Sequence, residues 1–121
     1  MSYEIGKWLT EIAETESPLA RIVAFNIGLF ESEEGYTAYL IGSKDYDANN
    51  DDWACNEDFV PHNKYFKLRK SSGKEWQQLE SEVVDEVKDF LLSETAKKSF
   101  FTNAKAITVG FDDGELVKVN A

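Results

Sequence analysis

The side chains best able to do chemistry are concentrated in the stretch Lys44–Tyr65, which we call the acidic loop. It holds the only histidine of the chain, His62, and the only cysteine, Cys55. Aromatic residues and six acids surround them: Trp53, Phe59 and Tyr65, with Asp45, Asp47, Asp51, Asp52, Glu57 and Asp58. A polar segment of this length in a small domain is usually functional or disordered, and its aromatic residues argue against disorder. The sequence therefore predicts that function resides in this loop.

Calcium binding is the first chemistry that the loop suggests. Alternate positions carry oxygen ligands, as they do in a calcium-binding loop: Asp45, Asp47, Asn49 and Asp51. In that pattern Asn50 stands where a glycine makes the sharp turn, and Asn56 stands where a glutamate supplies two oxygens. Asp and Asn are also the ordinary residues of turns. The sequence therefore predicts neither a bound metal nor a cofactor.

Catalysis by the loop has three alternative forms. A thiolate–imidazole pair would require the loop to fold Cys55 back onto His62, and the nearby carboxylates disfavour the thiolate. A zinc site needs three or four ligands, which one Cys and one His do not supply. Hydrolysis by paired carboxylates requires one carboxyl group held in an apolar pocket. None of these patterns is a catalytic signature, so the chain is predicted not to be an enzyme.

The net charge of −10 is distributed unevenly along the chain. Residues 31–58 hold nine acids and one lysine, whereas residues 59–74 hold five basic residues and no acid. Nucleic-acid binding needs clustered Lys and Arg that release counterions, so this balance disfavours nucleic acid as a partner. Dense surface acid instead favours encounter with a basic protein. The predicted partner-binding residues are Asp45, Asp47, Asp51, Asp52, Trp53, Glu57 and Asp58.

Length and composition indicate one domain spanning residues 1–121. A single cysteine forms no internal disulfide, which is typical of a reducing compartment. The first residues are polar rather than those of a secretory leader, and no apolar run has the ~18 residues of a membrane span. These features predict a soluble, cytoplasmic protein without a membrane partner. The oligomeric state does not follow from the sequence.

Apolar residues at spacings of three and four predict two helices. The first runs from an N-cap at Ser2 to about Glu16, where Ser17-Pro18 ends it. The second runs from about Gly73 to Glu94 and has an anionic face opposite its apolar one. That apolar face consists of Trp76, Leu79, Val83, Val87, Phe90 and Leu91.

Five strands are predicted from runs of β-branched and aromatic residues. They are Ile22–Phe30, Tyr36–Ile41, Tyr65–Arg69, Ala106–Phe111 and Leu116–Val119. Gly35 and the Asp113-Gly114 pair suggest hairpin turns that use positive φ. The resulting order, α-β-β-β-α-β-β, predicts an α+β domain with an antiparallel sheet of about five strands and two helices packed on one face.

Three segments resemble the immunity proteins of bacterial polymorphic-toxin systems. They are GYTAYLIGSKDYD (Gly35–Asp47), DDWAC (Asp51–Cys55) and GFDDGELV (Gly110–Val117). Proteins of that kind commonly neutralise a toxin, often a nuclease, by covering its positively charged active site. The resemblance implies that role for the seven predicted partner-binding residues. Two alternatives stay open: a small cytoplasmic adaptor or regulatory domain whose acidic loop is structural, and a hydrolase that depends on carboxylates or a metal.

Overall fold

The computed structural model describes residues 3–19, 21–33 and 35–120. Its helices and strands are α1 (Ile5–Thr15), β1 (Ala24–Ser32), β2 (Gly35–Ser43), β3 (Tyr65–Leu68), α2 (Trp76–Leu91), α3 (Glu94–Lys97), β4 (Ala106–Phe111) and β5 (Val117–Lys118). Two 3₁₀ helices, Asp51–Cys55 and Phe100–Asn103, lie in the acidic loop and before β4. The predicted α+β class and the order α-β-β-β-α-β-β are confirmed, with α3 and the 3₁₀ helices as additions.

The five strands form one sheet in the order β3-β2-β1-β4-β5. β1 pairs with β2 in antiparallel fashion but with β4 in parallel, from Ala24↔Ala106 to Leu29↔Phe111. The prediction of a wholly antiparallel sheet is therefore wrong for this pair, and the sheet is mixed. The reason is that the chain crosses over through α2 and α3 before β4, and a crossover of this length brings the next strand in parallel.

The central strand β1 has both of its faces covered. Phe25, Ile27 and Leu29 belong to one core cluster with the buried residues of α1 and α2, so both helices pack on this face. Alternate residues of a strand point to opposite faces, so Ala24 and Asn26 point away from the helices. Among the described residues, the acidic loop with its 3₁₀ helix, and no α-helix, covers that second face, which we call the helix-free face because α1, α2 and α3 are absent from it. Residues 24–29 are all buried as a result.

The predicted apolar face of α2 holds with one exception. Leu79, Val83, Val87 and Phe90 are buried and Leu91 is half-buried against the core, whereas Trp76 is 51% exposed. Trp76 begins the helix and packs its ring edge-on against Phe111, at 5.8 Å between centroids. In the described part of the chain, no helix combines the length and the apolar character that crossing a membrane requires.

Positive φ was predicted at both hairpin turns, and the structure has it at only one of them. Gly35 opens β2 with φ 132°, so a glycine does supply positive φ there. The turn between β4 and β5 is closed by Gly114 N–H, which donates to the carbonyl oxygen of Phe111 at 3.0 Å. Neither Asp113 nor Gly114 adopts positive φ, so the predicted Asp-Gly turn geometry is wrong.

Helix α1 is capped by a residue of α2. The predicted N-cap, Ser2, lies outside the described residues, and Glu4 at the helix start has φ 63° and makes no side-chain cap. The Glu86 carboxylate instead accepts hydrogen bonds from the backbone N–H groups of Tyr3 at 2.9 Å and Ile5 at 3.1 Å. The anionic face of α2 therefore has a structural role at this position, because it satisfies unpaired donors of a helix N-terminus.

Replacing Glu86 with alanine is expected to lower the free energy of unfolding by about 1–2 kcal/mol, the usual cost of a lost cap. Urea unfolding followed by circular dichroism measures this change. Asp85→Ala is the matched control, because Asp85 is the adjacent acid of α2 and is exposed. That control is expected to change the free energy by less than about 0.5 kcal/mol. Equal effects of the two substitutions would contradict the capping role of Glu86.

Candidate functional site

Two aromatic residues fix the acidic loop to the sheet. Trp53 is only 5% exposed and packs against Ala24 and Ala106 on the helix-free face. Phe59 is buried in the helix-side core, and its backbone exchanges hydrogen bonds of 2.8 and 3.0 Å with Gly42 of β2. The loop thus passes from one face of the sheet to the other and is held on both.

Polar side chains of the loop stabilise its turns. Asn50 caps the 3₁₀ helix by accepting a hydrogen bond from the Asp52 N–H at 2.8 Å. Asp58 accepts one from the Lys44 N–H at 2.8 Å, which ties the start of the loop to a residue 14 positions later. Such local bonds are the usual reason for Asn and Asp in turns. Hydrogen bonds between residues of the loop therefore help to give it an ordered structure.

The alternating Asp and Asn residues serve a turn in the same way. Asp47 Oδ1 accepts a hydrogen bond from the Asn49 N–H at 2.8 Å. Within the ranges that the structure describes, no group of three or more His, Cys, Asp or Glu side chains is placed to hold a metal ion. The calcium-like spacing therefore has a structural explanation.

All six acids predicted for partner binding are exposed: Asp45, Asp47, Asp51, Asp52, Glu57 and Asp58. The carboxylates of Asp45, Asp51 and Asp52 form no hydrogen bond or ion pair with the described residues. Trp53, predicted to belong to the same surface, is buried instead, because its ring fills the space between the loop and the sheet. Trp53 offers little surface to a partner and acts by holding the acids in place.

A pocket of about 510 Å³ opens on the helix-free face beside the loop. It brings together residues from three separate segments of the chain. Tyr39 comes from β2, Asp51 and Cys55 from the loop, and Asp112 and Leu116 from the turn between β4 and β5. These segments are far apart in sequence, and their meeting at one pocket makes this the candidate functional site.

Two mid-strand glycines allow the walls of the pocket to approach the sheet. A β-carbon at Gly28 would lie 2.1 Å from the ring of Tyr39, and one at Gly110 would lie 3.0 Å from Leu116. Tyr39 therefore passes over β1, and its hydroxyl donates a hydrogen bond to Asp112. Burial first, and then this bond, raises the pKa of Tyr39, so the hydroxyl remains a donor at neutral pH. The bond ties β2 to the β4–β5 turn.

Among the described residues that line the pocket, Asn26 is the one deeply buried polar residue. It is 3% exposed, and its Oδ1 accepts a hydrogen bond from Thr108 Oγ1 at 2.9 Å. Its amide nitrogen has no partner among the described residues, but it is not sealed within the protein, since Asn26 lines the pocket. A free hydrogen-bond donor therefore reaches the pocket floor.

The charges around the pocket are mainly negative. Asp51, Glu57 and Asp112 line it together with one lysine, Lys64. Lys64 Nζ lies 2.6 Å from Glu57 Oε1, and it lies 5.0 Å from the ring centroid of Tyr65. The hydrogen bond to Glu57 raises the pKa of Lys64, so this amine stays charged. Carboxylates and an aromatic face here stabilise a cation.

Cys55 and His62, the pair considered for nucleophilic chemistry, lie in different places. Cys55 is exposed at the pocket. The His62 ring instead contacts Glu16 Oε2 at 2.9 Å, and the His62 backbone N–H donates to the same oxygen. The backbone bond is the largest cause that lowers the pKa of Glu16. No hydrogen bond or ion pair joins Cys55 to His62 in the part of the chain that the structure describes.

The pocket carboxylates also differ from those of a hydrolase. Hydrolysis by a carboxylate pair requires one carboxyl group enclosed in apolar surroundings. Asp51, Glu57 and Asp112 are all exposed. The arrangement suits binding a cationic group better than proton transfer.

Three residues of the site, Asn26, Tyr39 and Asp112, are not among the predicted partner-binding residues. Two signals for them are present in the sequence. A glycine inside a strand marks close approach of another group, which applies to Gly28 and Gly110. A lone Asn in an otherwise apolar strand indicates a buried polar group that another segment of the chain covers.

Comparison with models of known families, with curated proteins and with solved structures finds no match to this chain. Function therefore has to follow from the site itself. That site is an acidic loop, fixed at Trp53 and Phe59, beside a negatively charged pocket on the helix-free face.

Proposed function

We propose that this protein is a non-enzymatic binding protein that covers a basic surface of a partner protein with its acidic loop. In this proposal it acts as an immunity protein and blocks the cationic, nuclease-like active site of a toxin. The observation that carries the proposal is the exposure of six acids on a loop that is fixed to both faces of the sheet.

The ordered conformation of the acidic loop supports a binding surface rather than a merely solvated segment. A loop held by Trp53 and Phe59 has already lost much of the conformational entropy that binding would otherwise remove. Its unpaired carboxylates, those of Asp45, Asp51 and Asp52, lose no internal ion pair when a basic group approaches. The negative charge of the ordered loop can therefore attract a basic partner without first breaking an internal ion pair.

The distribution of charge supports the choice of a basic partner. Acidic residues concentrated on one surface accelerate encounter with a cationic surface and repel anionic ones. A toxin that cleaves nucleic acid must carry a cationic site to bind phosphates. An acidic cover over such a site would prevent substrate from entering.

An adaptor with a structural acidic loop is the alternative from a different functional class. It differs from inhibition in what the partner does, and a growth assay separates the two. The gene adjacent to this one is the natural candidate for the toxin, because an immunity gene normally lies beside its toxin gene. Expression of that neighbour alone is expected to arrest growth, and co-expression with this protein is expected to restore it.

The charge-reversed variant Asp51→Lys/Asp52→Lys should fail to restore growth while it accumulates to the same level as the wild type. A neighbouring gene product that is harmless on its own would contradict the inhibitory role. So would full protection by the charge-reversed variant.

A further inference from the structure

The pocket beside the acidic loop has features of a site for one cationic side chain. Its lining combines three carboxylates with tyrosine rings, and the chain already places one of its own cations there. Lys64 Nζ lies 5.0 Å from the Tyr65 ring centroid, 5.7 Å from the Tyr39 ring centroid and 2.6 Å from Glu57. The same surroundings would stabilise a cation brought by a partner.

Two of the carboxylates remain available to such a cation. Glu57 is paired with Lys64, whereas Asp51 accepts no bond from the described residues. Asp112 accepts one hydrogen bond from the Tyr39 hydroxyl, and a carboxylate can accept several. Asp51 and Asp112 line the same pocket from the loop and from the β4–β5 turn. A group with several donors could bond to both.

Asn26 adds a requirement that a cation alone does not meet. Its amide nitrogen is a donor that is open to the pocket floor. A ligand that covers this donor without supplying an acceptor would leave it buried and unpaired, which costs free energy. A protein loop that inserts a basic residue also brings backbone carbonyl oxygens, which accept from such a donor. The deeply buried Asn26 thus points to a peptide segment as the ligand.

We propose that the pocket receives an arginine, presented at the tip of a loop of the basic partner. The guanidinium group would bond to Asp51 and Asp112, and a carbonyl oxygen of the same loop would accept from Asn26. This inference rests on the proposed function. Arginine suits the site better than lysine because its planar group stacks on aromatic rings, donates to two carboxylates at once and is less strongly hydrated.

The probe for this site is N-acetyl-arginine N-methylamide, which carries both the guanidinium and two carbonyl groups. Citrulline in the same blocked form is the matched control, because it has nearly the same shape without the charge. Titration followed by ¹H–¹⁵N NMR is expected to shift the Asn26 side-chain amide and the signals of the acidic loop. The arginine compound should bind about tenfold more tightly than the citrulline compound.

Two alterations of the protein locate the binding. Asp51→Asn/Asp112→Asn should lose the shifts, whereas Asp85→Asn/Asp89→Asn, with the same charge change on α2, should keep them. Alkylation of Cys55 with N-ethylmaleimide should block the pocket while leaving every carboxylate intact. The Cys55→Ser variant, treated identically, should still bind.

Equal binding of arginine and citrulline, or undiminished binding after alkylation of Cys55, would overturn the proposed arginine site. Equally tight binding of the corresponding lysine compound would overturn the choice of guanidinium. These failures are distinguishable from failure of the proposed function. If a basic partner still binds the alkylated protein but not the Asp51→Lys/Asp52→Lys variant, the acidic loop is the binding surface and the pocket is not.

Discussion

Replacing Trp53 with alanine is expected to lower the free energy of unfolding by about 3 kcal/mol and to release the acidic loop from the helix-free face. Substitutions of buried tryptophan by alanine remove a large apolar area and leave a cavity, at a typical cost of about 3–5 kcal/mol. We expect the lower end of this range because the cluster around Trp53 is small, with Ala24 and Ala106 as its other buried members. Urea unfolding measures the change in free energy.

Hydrogen exchange of the loop amides in the Trp53→Ala variant measures the release itself. Trp76→Ala is the matched control, because Trp76 is 51% exposed and is expected to cost less than about 1 kcal/mol. Protection of the loop amides should fall in the Trp53 variant alone. Equal destabilisation by the two substitutions, with the loop still protected, would show that Trp53 does not fix the loop.

Replacing Gly28 with alanine is the second large effect that we expect, with a loss of about 2–3 kcal/mol. A β-carbon at this position would lie 2.1 Å from Tyr39 Cζ and 2.4 Å from its hydroxyl oxygen. The Tyr39 ring would have to move, and its hydrogen bond to Asp112 would break. The substitution therefore distorts the pocket as well as the sheet.

A double-mutant cycle with Tyr39→Ala identifies the clash as the cause. The losses in Gly28→Ala and Tyr39→Ala should add to more than the loss in the double variant, by at least about 1 kcal/mol, because the added methyl group has space once the ring is gone. Gly6→Ala is the control, since Gly6 lies in α1 and its β-carbon would be 4.0 Å from Phe90 Cβ. That control is expected to stabilise by about 0.5–1 kcal/mol. Additive losses would contradict the account.

Local patterns in the sequence were sufficient to predict most of the helices and strands. The spacing of Leu79, Val83 and Val87 determines which face of α2 is buried, and it needs no knowledge of distant residues. The parallel pairing of β1 with β4 was not predictable in this way, because it depends on where the crossover through α2 returns the chain. Residues 24–29 of β1, the part that pairs with β4, are buried on both faces of the sheet.

The candidate site was predictable only in part, for a related reason. The acids of the loop are visible as a cluster in the sequence, and the structure places all six on the surface. The sequence does not show which face of the sheet lacks an α-helix. It therefore does not show whether Trp53 faces a partner or the core. Asn26, Tyr39 and Asp112 join the pocket through strand pairing and the two mid-strand glycines, and composition does not reveal such contacts.

The central claim is that the acidic loop binds a basic protein partner, and capture from the native host tests it most directly. Three forms of the protein serve as bait at low salt: the wild type, the loop variant Asp51→Lys/Asp52→Lys, and the helix variant Asp85→Lys/Asp89→Lys. The two variants carry the same change in net charge, on exposed residues in both cases. We predict that the wild type and the helix variant retain one basic protein, that high salt weakens its binding, and that the loop variant loses it by a factor of about ten or more. Equal retention by all three baits, or binding that is insensitive to salt, would contradict the claim.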